Sequence, residues 1–164
     1  MHIRLGELTD AEEIAAIYNA EVTGGTATFD LVPRTLDEQR AWLRARSGAL
    51  AVLVAVVDGE VAGYASLSKF RDRPAYSTTV ESSVYVHKDH RRAGVAKALM
   101  SELLSTAASH GFHAIIARIA DSQEASLELH RQLGFSLVGV EREIGRKFGR
   151  WLDVSVMQFI VQES

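Results

Sequence analysis

The run Val84-Tyr85-Val86-His87-Lys88-Asp89-His90-Arg91-Arg92-Ala93-Gly94-Val95-Ala96-Lys97 passes from a strand through a basic, glycine-containing loop into a helix. Upstream, Thr79 to His87 alternates, with Val80, Val84 and Val86 on one face and Glu81, Ser83 and Tyr85 on the other, the period-2 pattern of a strand. Downstream, Val95, Leu99, Leu103 and Ala107 recur every four residues and predict a helix that stops near Gly111, a residue type suited to the left-handed C-terminal cap. Backbone N–H groups at a helix start have no intrahelical acceptor, and the helix dipole is positive there, so such a turn is an anion site. Gly94 and Ala96 leave room for a close approach, and Arg91, Arg92 and Lys97 add positive charge. The turn has neither the Gly-Lys-Ser/Thr ending of a Walker A loop nor the three glycines of a dinucleotide fingerprint. Taken alone it reads either as a phosphate cradle or as a surface turn with solvated arginines.

Working outward, Ala51 to Val57 is a continuous β-branched and apolar run, the mark of a buried strand. Asp58-Gly59 is a hairpin turn, and Val61 to Leu67 is the returning strand. Arg71 to Ser77 is a polar loop. Toward the amino end, Ile3 to Leu5 reads as a first strand. Thr9 to Glu12 and Thr35 to Glu38 each fit a capping box and open helices, the first reaching about Glu21 and the second passing through Trp42 and Leu43. Thr23 to Pro33 is the loop between them. Toward the carboxyl end, Ala114 to Ile119 is a strand, and a helix carries Ser126, Leu129, His130 and Leu133 on one face. Two last strands span Phe135 to Val140 and Val154 to Val161. The order β-α-α-β-β-β-α-β-α-β-β mixes hairpins with βαβ units. It predicts one α/β domain over residues 1–164, built on a mixed, largely antiparallel sheet.

Bulk properties narrow the function. The chain has 164 residues, 47% of them hydrophobic, and a net charge of −3, so one ordinary globular core is expected and no basic face for nucleic acid. It has no cysteine, which excludes disulfides, thiolate metal sites and a cysteine nucleophile. His87 and His90 lie three apart without a third ligand close in sequence, so no metal is expected. No signal-peptide pattern opens the chain, and no apolar run approaches the ~20 residues of a membrane span. The expectation is a cytoplasmic protein without membrane or nucleic-acid partners.

Arg91-Arg92-Ala93-Gly94-Val95-Ala96 matches the pyrophosphate motif of the GNAT acetyltransferase superfamily, Arg/Gln-x-x-Gly-x-Gly/Ala. Gln123 to His130 with Gly134-Phe135 approximates its second motif, with Gln123 in place of the usual Asn and His130 in place of the usual Tyr. Thr26 to Phe29, Glu81 to Val86 and Lys147 to Val154 resemble the phosphinothricin acetyltransferase subfamily. The resemblance covers nearly the whole chain. It implies an N-acetyltransferase that uses acetyl-CoA as donor and acts on the α-amine of a small amino-acid-like acceptor such as phosphinothricin, methionine sulfoximine or methionine sulfone. It also implies a homodimer. It assigns Val84, Tyr85, Val86, the loop from Arg91 through Ala93 to Lys97, Gln123, Ser126 and His130 to the cofactor. Phe29, Arg71, Arg73, Tyr76, Thr78, Glu81, Lys147 and Trp151 go to the acceptor.

The chemistry asks for three things. An amino-acid ammonium must lose a proton, and Glu81, the one carboxylate in the middle of an otherwise buried strand, is the candidate base. The other reading of Glu81 is a salt bridge to Arg71 or Arg73. The thioester carbonyl must be polarised, and the resemblance implies that the donor's pantetheine arm lies along the fourth strand, with a backbone N–H of Val84 or Val86 holding that carbonyl. The leaving sulfur needs a proton, from His130 or Tyr85. Either residue also reads as plain packing. Arg71 and Arg73 suit a carboxylate or are solvated loop arginines. Trp151, in a polar loop, walls the site or caps a core. A peptide N-terminus or a polyamine is the rival acceptor, and a non-catalytic acyl-CoA sensor the rival class. Paired arginines oppose a polyamine, and Glu81 opposes a sensor.

Overall fold

The computed structural model describes residues 1–46 and 48–163. The strands are β1 (His2–Leu5), β2 (Val52–Val57), β3 (Glu60–Lys69), β4 (Thr79–Val86), β5 (Ala114–Ala120), β6 (Ser136–Lys147) and β7 (Arg150–Ile160). The helices are α1 (Ala11–Gly24), α2 (Leu36–Ala45), α3 (Val95–Ser109) and α4 (Glu124–Gln132). The element order is the one expected. The strands form one seven-stranded sheet in the order β1-β2-β3-β4-β5-β7-β6. Only β4 and β5 run parallel.

Local chemistry explains most of these elements. Asp58 and Gly59 both take positive φ, 51° and 80°, the backbone of a two-residue hairpin turn. Thr35 accepts from the Glu38 N–H while the Glu38 carboxylate accepts from the Thr35 N–H, the reciprocal box that starts α2. Thr9 does not cap α1, correcting the first capping-box reading. A short 3-10 turn over Leu8–Asp10 precedes α1, and the box joins Glu7 to Asp10 instead. Asp10 accepts from the Glu7 N–H at 2.7 Å and takes both Arg4 nitrogens at 2.8 and 2.9 Å. These bonds, Arg4's above all, hold its carboxyl below the usual range.

The sheet has an apolar layer on each face. Ile14, Ile17, Tyr18 and Val22 of α1 and Leu43 of α2 pack on Val52, Val54 and Tyr64. Leu99, Met100 and Leu103 of α3 and Leu127 of α4 pack on Ala65, Leu67, Val80, Ile115 and Met157. Gly63 is required on the α3 face, because a β-carbon there would lie 3.2 Å from Val95 and Leu99 and 2.9 Å from the Tyr85 carbonyl. That close approach seats the start of α3 against β3 and β4.

The final hairpin is longer than expected. β6 continues to Lys147 and β7 begins at Arg150, so Trp151 is a strand residue, 60% exposed, and caps no core. Glu141, Arg142, Glu143 and Arg146 hide this strand from a reading by hydrophobic pattern. β6 is an edge strand with mostly exposed residues, and edge strands carry charge.

Candidate active site

β4 and β5 separate partway along their length. Their pairing runs from Thr79↔Ala114 to Ser82↔Ala117 and stops there. Beyond that point β4 pairs only with β3, and β5 only with β7. The His87 N–H donates to the Ala62 carbonyl at 2.8 Å. In an antiparallel ladder hydrogen-bonded and non-bonded pairs alternate, so residues 81, 83, 85 and 87 bond toward β3. The N–H and C=O groups of Val84 and Val86 therefore face the gap. A strand-shaped slot, walled by unpaired backbone, opens beside β4.

The basic loop lies at the wide end of that slot. Gly94 (φ 77°, ψ 9°) is the N-cap of α3 without any side-chain cap, and Arg92 has φ 61°. A β-carbon at Gly94 would meet nothing within 4 Å. This glycine is thus dictated by its backbone conformation, not by internal packing. Arg92, Ala93 and Lys97 are exposed, Ala96 half-buried and Val95 anchored in the core. Arg91 is fastened to Glu21 of α1 at 2.8 Å. The loop and slot together suit a diphosphate joined to an extended amide-bearing arm.

Glu81 lies across from Ser68 on β3 and Ile116 on β5. It is half-buried, and its carboxylate has no ion pair and no hydrogen bond among the described residues. Burial pushes its carboxyl above the ordinary value, and Arg118 on β5 only partly offsets this. Arg118 itself pairs with Glu141. The pairing of Glu81 with Arg71 or Arg73 is absent. Both arginines are exposed on the β3–β4 connection, with Arg71 lying over the rings of Phe70 (4.7 Å) and Tyr76 (5.9 Å). They line a groove with Tyr76, Thr79 and Phe112. Thr78 is exposed, and its carbonyl takes the His113 N–H.

His130 is 4% exposed, its ring edge-on to Phe135. Nδ1 is 2.7 Å from the Ser126 carbonyl. A carbonyl only accepts, so Nδ1 carries the hydrogen and Nε2 is bare in the neutral ring. Burial lowers the imidazole's pKa, against the pull of the Ser126 carbonyl. Tyr85 stacks on Tyr64 and meets Tyr18 edge-on. Burial, with Tyr18 next, raises its phenol far above the usual value. Gln123, at the N-cap of α4, reaches Thr26 at 3.4 Å.

Lys147 is buried. It is 3% exposed and donates to the carbonyls of Thr28 (2.9 Å) and Glu21 (3.2 Å). It ties the end of α1 and the α1–α2 loop to the last hairpin. Phe29 on that loop packs on Gly145, where a β-carbon would overlap its ring. Trp151 lies under Arg146 at 4.5 Å. Among the described residues there is no group of three His, Cys, Asp or Glu able to hold a metal. No described helix is long and apolar enough to cross a membrane.

Three comparisons bear on this geometry. Residues 3–156 match the family model described as an acetyltransferase (GNAT) domain. The chain is 40% identical over 164 residues to the L-amino acid N-acyltransferase MnaT of Escherichia coli K12, covering 99% of this chain and 95% of that one. It is also 40% identical over 158 residues to an L-methionine sulfoximine/L-methionine sulfone acetyltransferase of Pseudomonas paraeruginosa, covering 95% and 92%. Among solved structures, a phosphinothricin acetyltransferase of Sinorhizobium meliloti in complex with acetyl-CoA superposes with a TM-score of 0.95 at 37% identity, covering 98% of this chain and 88% of that one.

Proposed function

Because the chain belongs to the GNAT acetyltransferase family, we propose that it acetylates the α-amine of a small amino acid of the phosphinothricin, methionine sulfoximine or methionine sulfone type. The observation that carries this reading is the unpaired, half-buried Glu81 two residues from the start of the open slot. Acetyl-CoA, the donor seen in the related structure, supplies an activated acetyl thioester. The loop from Arg91 to Lys97, with Gly94 at its apex, holds the diphosphate through free helix-start amides. The backbone of Val84 and Val86 receives the amide-bearing arm as an added strand, and an N–H there polarises the carbonyl. Gln123 and Ser126 border the arm from α4.

Glu81 takes the proton from the acceptor's ammonium, directly or through water, leaving the amine lone pair free to attack. A carboxyl raised by burial is a stronger base than an exposed one, which suits that task. Arg71 and Arg73 hold the acceptor's α-carboxylate, with Tyr76 in the same groove, and Thr78 and Phe29 are the further acceptor contacts that the resemblance implies. As the C–N bond forms the C–S bond breaks, and the departing coenzyme A thiolate takes up the second proton that the attacking nitrogen sheds. His130 in its resting tautomer offers a lone pair and no free N–H, so it packs and positions α4. Tyr85 keeps its proton at any working pH and donates a hydrogen bond to the sulfur side.

The edge hairpin exposes Leu137, Val138, Val140, Ile144, Phe148 and Trp151. An apolar patch of this kind marks an interface, and a second copy of the chain covering it is the homodimer the family resemblance implies. The function is tested with an amine panel and a thiol-detecting reagent. Release of free coenzyme A is expected with phosphinothricin, methionine sulfoximine and methionine sulfone. Release with a polyamine or a peptide N-terminus alone would replace this acceptor class.

A further inference from the structure

Two arginines outside the family motifs converge on one indole. Arg34 immediately precedes the Thr35 cap of α2, and Arg46 is the C-cap of the same helix. Their guanidinium carbons lie 5.3 and 4.2 Å from the Trp42 ring centre, and Arg34 also lies 3.9 Å over Tyr18. Both arginines are half-buried. Neither forms an ion pair with a carboxylate among the described residues. Asp37, the nearest acid in sequence to Arg34, pairs with Arg40, and Asp30 bonds to the Tyr18 hydroxyl.

Like charges brought together in a partly dry place are unfavourable without a counter-charge. Burial lowers the Arg46 pKa, and the Arg34 charge lowers it further. Gln39 sharpens the point. It is 0% exposed, its carbonyl takes an Arg34 N–H at 3.4 Å, and its Nε2 has no acceptor. Two half-buried guanidinium groups thus meet without a carboxylate, their described side-chain acceptors being the neutral Gln39 carbonyl and Ser68 hydroxyl, beside a buried amide N–H that has no acceptor.

This cluster lies on the face of Glu81. Arg46 donates to the Ser68 hydroxyl at 2.9 Å, and Ser68 is the cross-strand partner of Glu81. Trp42 meets Tyr64 edge-on, and Tyr64 stacks on Tyr85 of β4. Glu81 and the two guanidinium groups therefore share one face of the sheet, and each guanidinium keeps N–H groups beyond those given to Gln39 and Ser68.

We infer that Arg34 and Arg46 form a second anion site that receives an oxyanion or sulfonyl-type oxygen at the far end of the acceptor's side chain. Specificity then comes from two separate arginine pairs. Arg71 and Arg73 take the α-carboxylate common to all amino acids, while Arg34 and Arg46 select side chains ending in P–O, S=O or carboxylate oxygens. Guanidinium geometry fits such groups two-pronged. This rests on the amino-acid acetyltransferase reading above.

The test is calorimetric binding to the full chain saturated with free coenzyme A, so that no turnover occurs. The two probes are phosphinothricin, with an anionic side chain, and leucine, with an apolar one. Arg34→Gln and Arg46→Gln are expected to weaken phosphinothricin at least roughly tenfold, the loss of one charged hydrogen bond. Leucine should change less than about twofold, and coenzyme A binding should stay as in the parent. Arg71→Ala with Arg73→Ala should weaken both probes alike. Arg46→Lys, which keeps charge and loses the fork, should recover part of the phosphinothricin affinity. Equal losses for both probes, or no loss, would overturn the second site and make the pair structural. If the parent turns over no amino acid at all, the acetyltransferase reading fails, and the binding difference still decides whether the second site exists.

Discussion

Alanine at Gly94 and alanine at Gly59 are matched perturbations. Gly94 has φ 77° and Gly59 has φ 80°, and a β-carbon at either meets nothing within 4 Å. Each substitution places a side chain in the left-handed region, at about 1–2 kcal/mol, so each should lower the melting temperature by roughly 2–8 °C for a chain of this size. The two differ in what lies outside. Gly59 turns the β2–β3 hairpin, whereas Gly94 opens the helix beside the slot. A methyl group keeps a ligand atom at roughly 3.5 Å or more, where a charged hydrogen bond wants roughly 2.7–2.9 Å. Losing one such bond is worth about 1.5–3 kcal/mol, or roughly 10- to 100-fold in Kd. Calorimetry with coenzyme A should therefore show Gly94→Ala weakened by that factor and Gly59→Ala unchanged, at similar losses of stability. Equal affinities in the two variants would refute the assignment of the diphosphate to this loop.

Two further outcomes follow from buried titratable groups. Asp10→Asn should cost about 2 kcal/mol by removing the charged bonds to Arg4. Asp10's folded pKa lies below its unfolded value, so its contribution is present above roughly pH 4 and is lost as pH falls through the folded value. Denaturant melts should find the parent and variant converging at low pH. His130→Phe should leave turnover within a few-fold, where loss of a general acid would cost roughly 10²–10⁴. Its folded pKa is also lowered. The unfolded chain therefore binds the extra proton first, and the parent loses stability as pH drops below about 6.5, while the variant is spared that loss.

Much of this architecture is legible in local chemistry. Asp58-Gly59, the Thr35–Glu38 box and the apolar run Ala51 to Val57 each specify one backbone outcome, and the structure has all three. The strand–loop–helix around Gly94 is legible for the same reason, since a glycine followed by a four-residue apolar repeat leaves few alternatives. What is hidden depends on partners far away in sequence. Lys147 goes to the acceptor by resemblance, and its burial under the carbonyls of Glu21 and Thr28 comes from partners more than a hundred residues away. Thr9 has the right spacing for a cap, but the box forms one turn earlier between Glu7 and Asp10, whose carboxylate also takes Arg4. Arg34 and Arg46 show no motif, because their shared target, Trp42, matters only once α2 is wound. The tautomer of His130 follows from a helix-internal bond to Ser126 that an i, i+4 spacing permits and does not require. The splay of β4 from β5 is a property of pairing, and no single residue announces it.

The most direct measurement is single-turnover acetyl transfer by Glu81→Gln, run beside coenzyme A calorimetry on the same preparation. Glutamine keeps the size and polarity of the side chain and removes only the ability to take a proton. Transfer to the amino-acid acceptor should fall by roughly 10²–10⁴, with coenzyme A bound as in the parent. Rising pH should recover part of the rate as more acceptor arrives as free amine. Undiminished transfer at neutral pH would remove Glu81 from the chemistry.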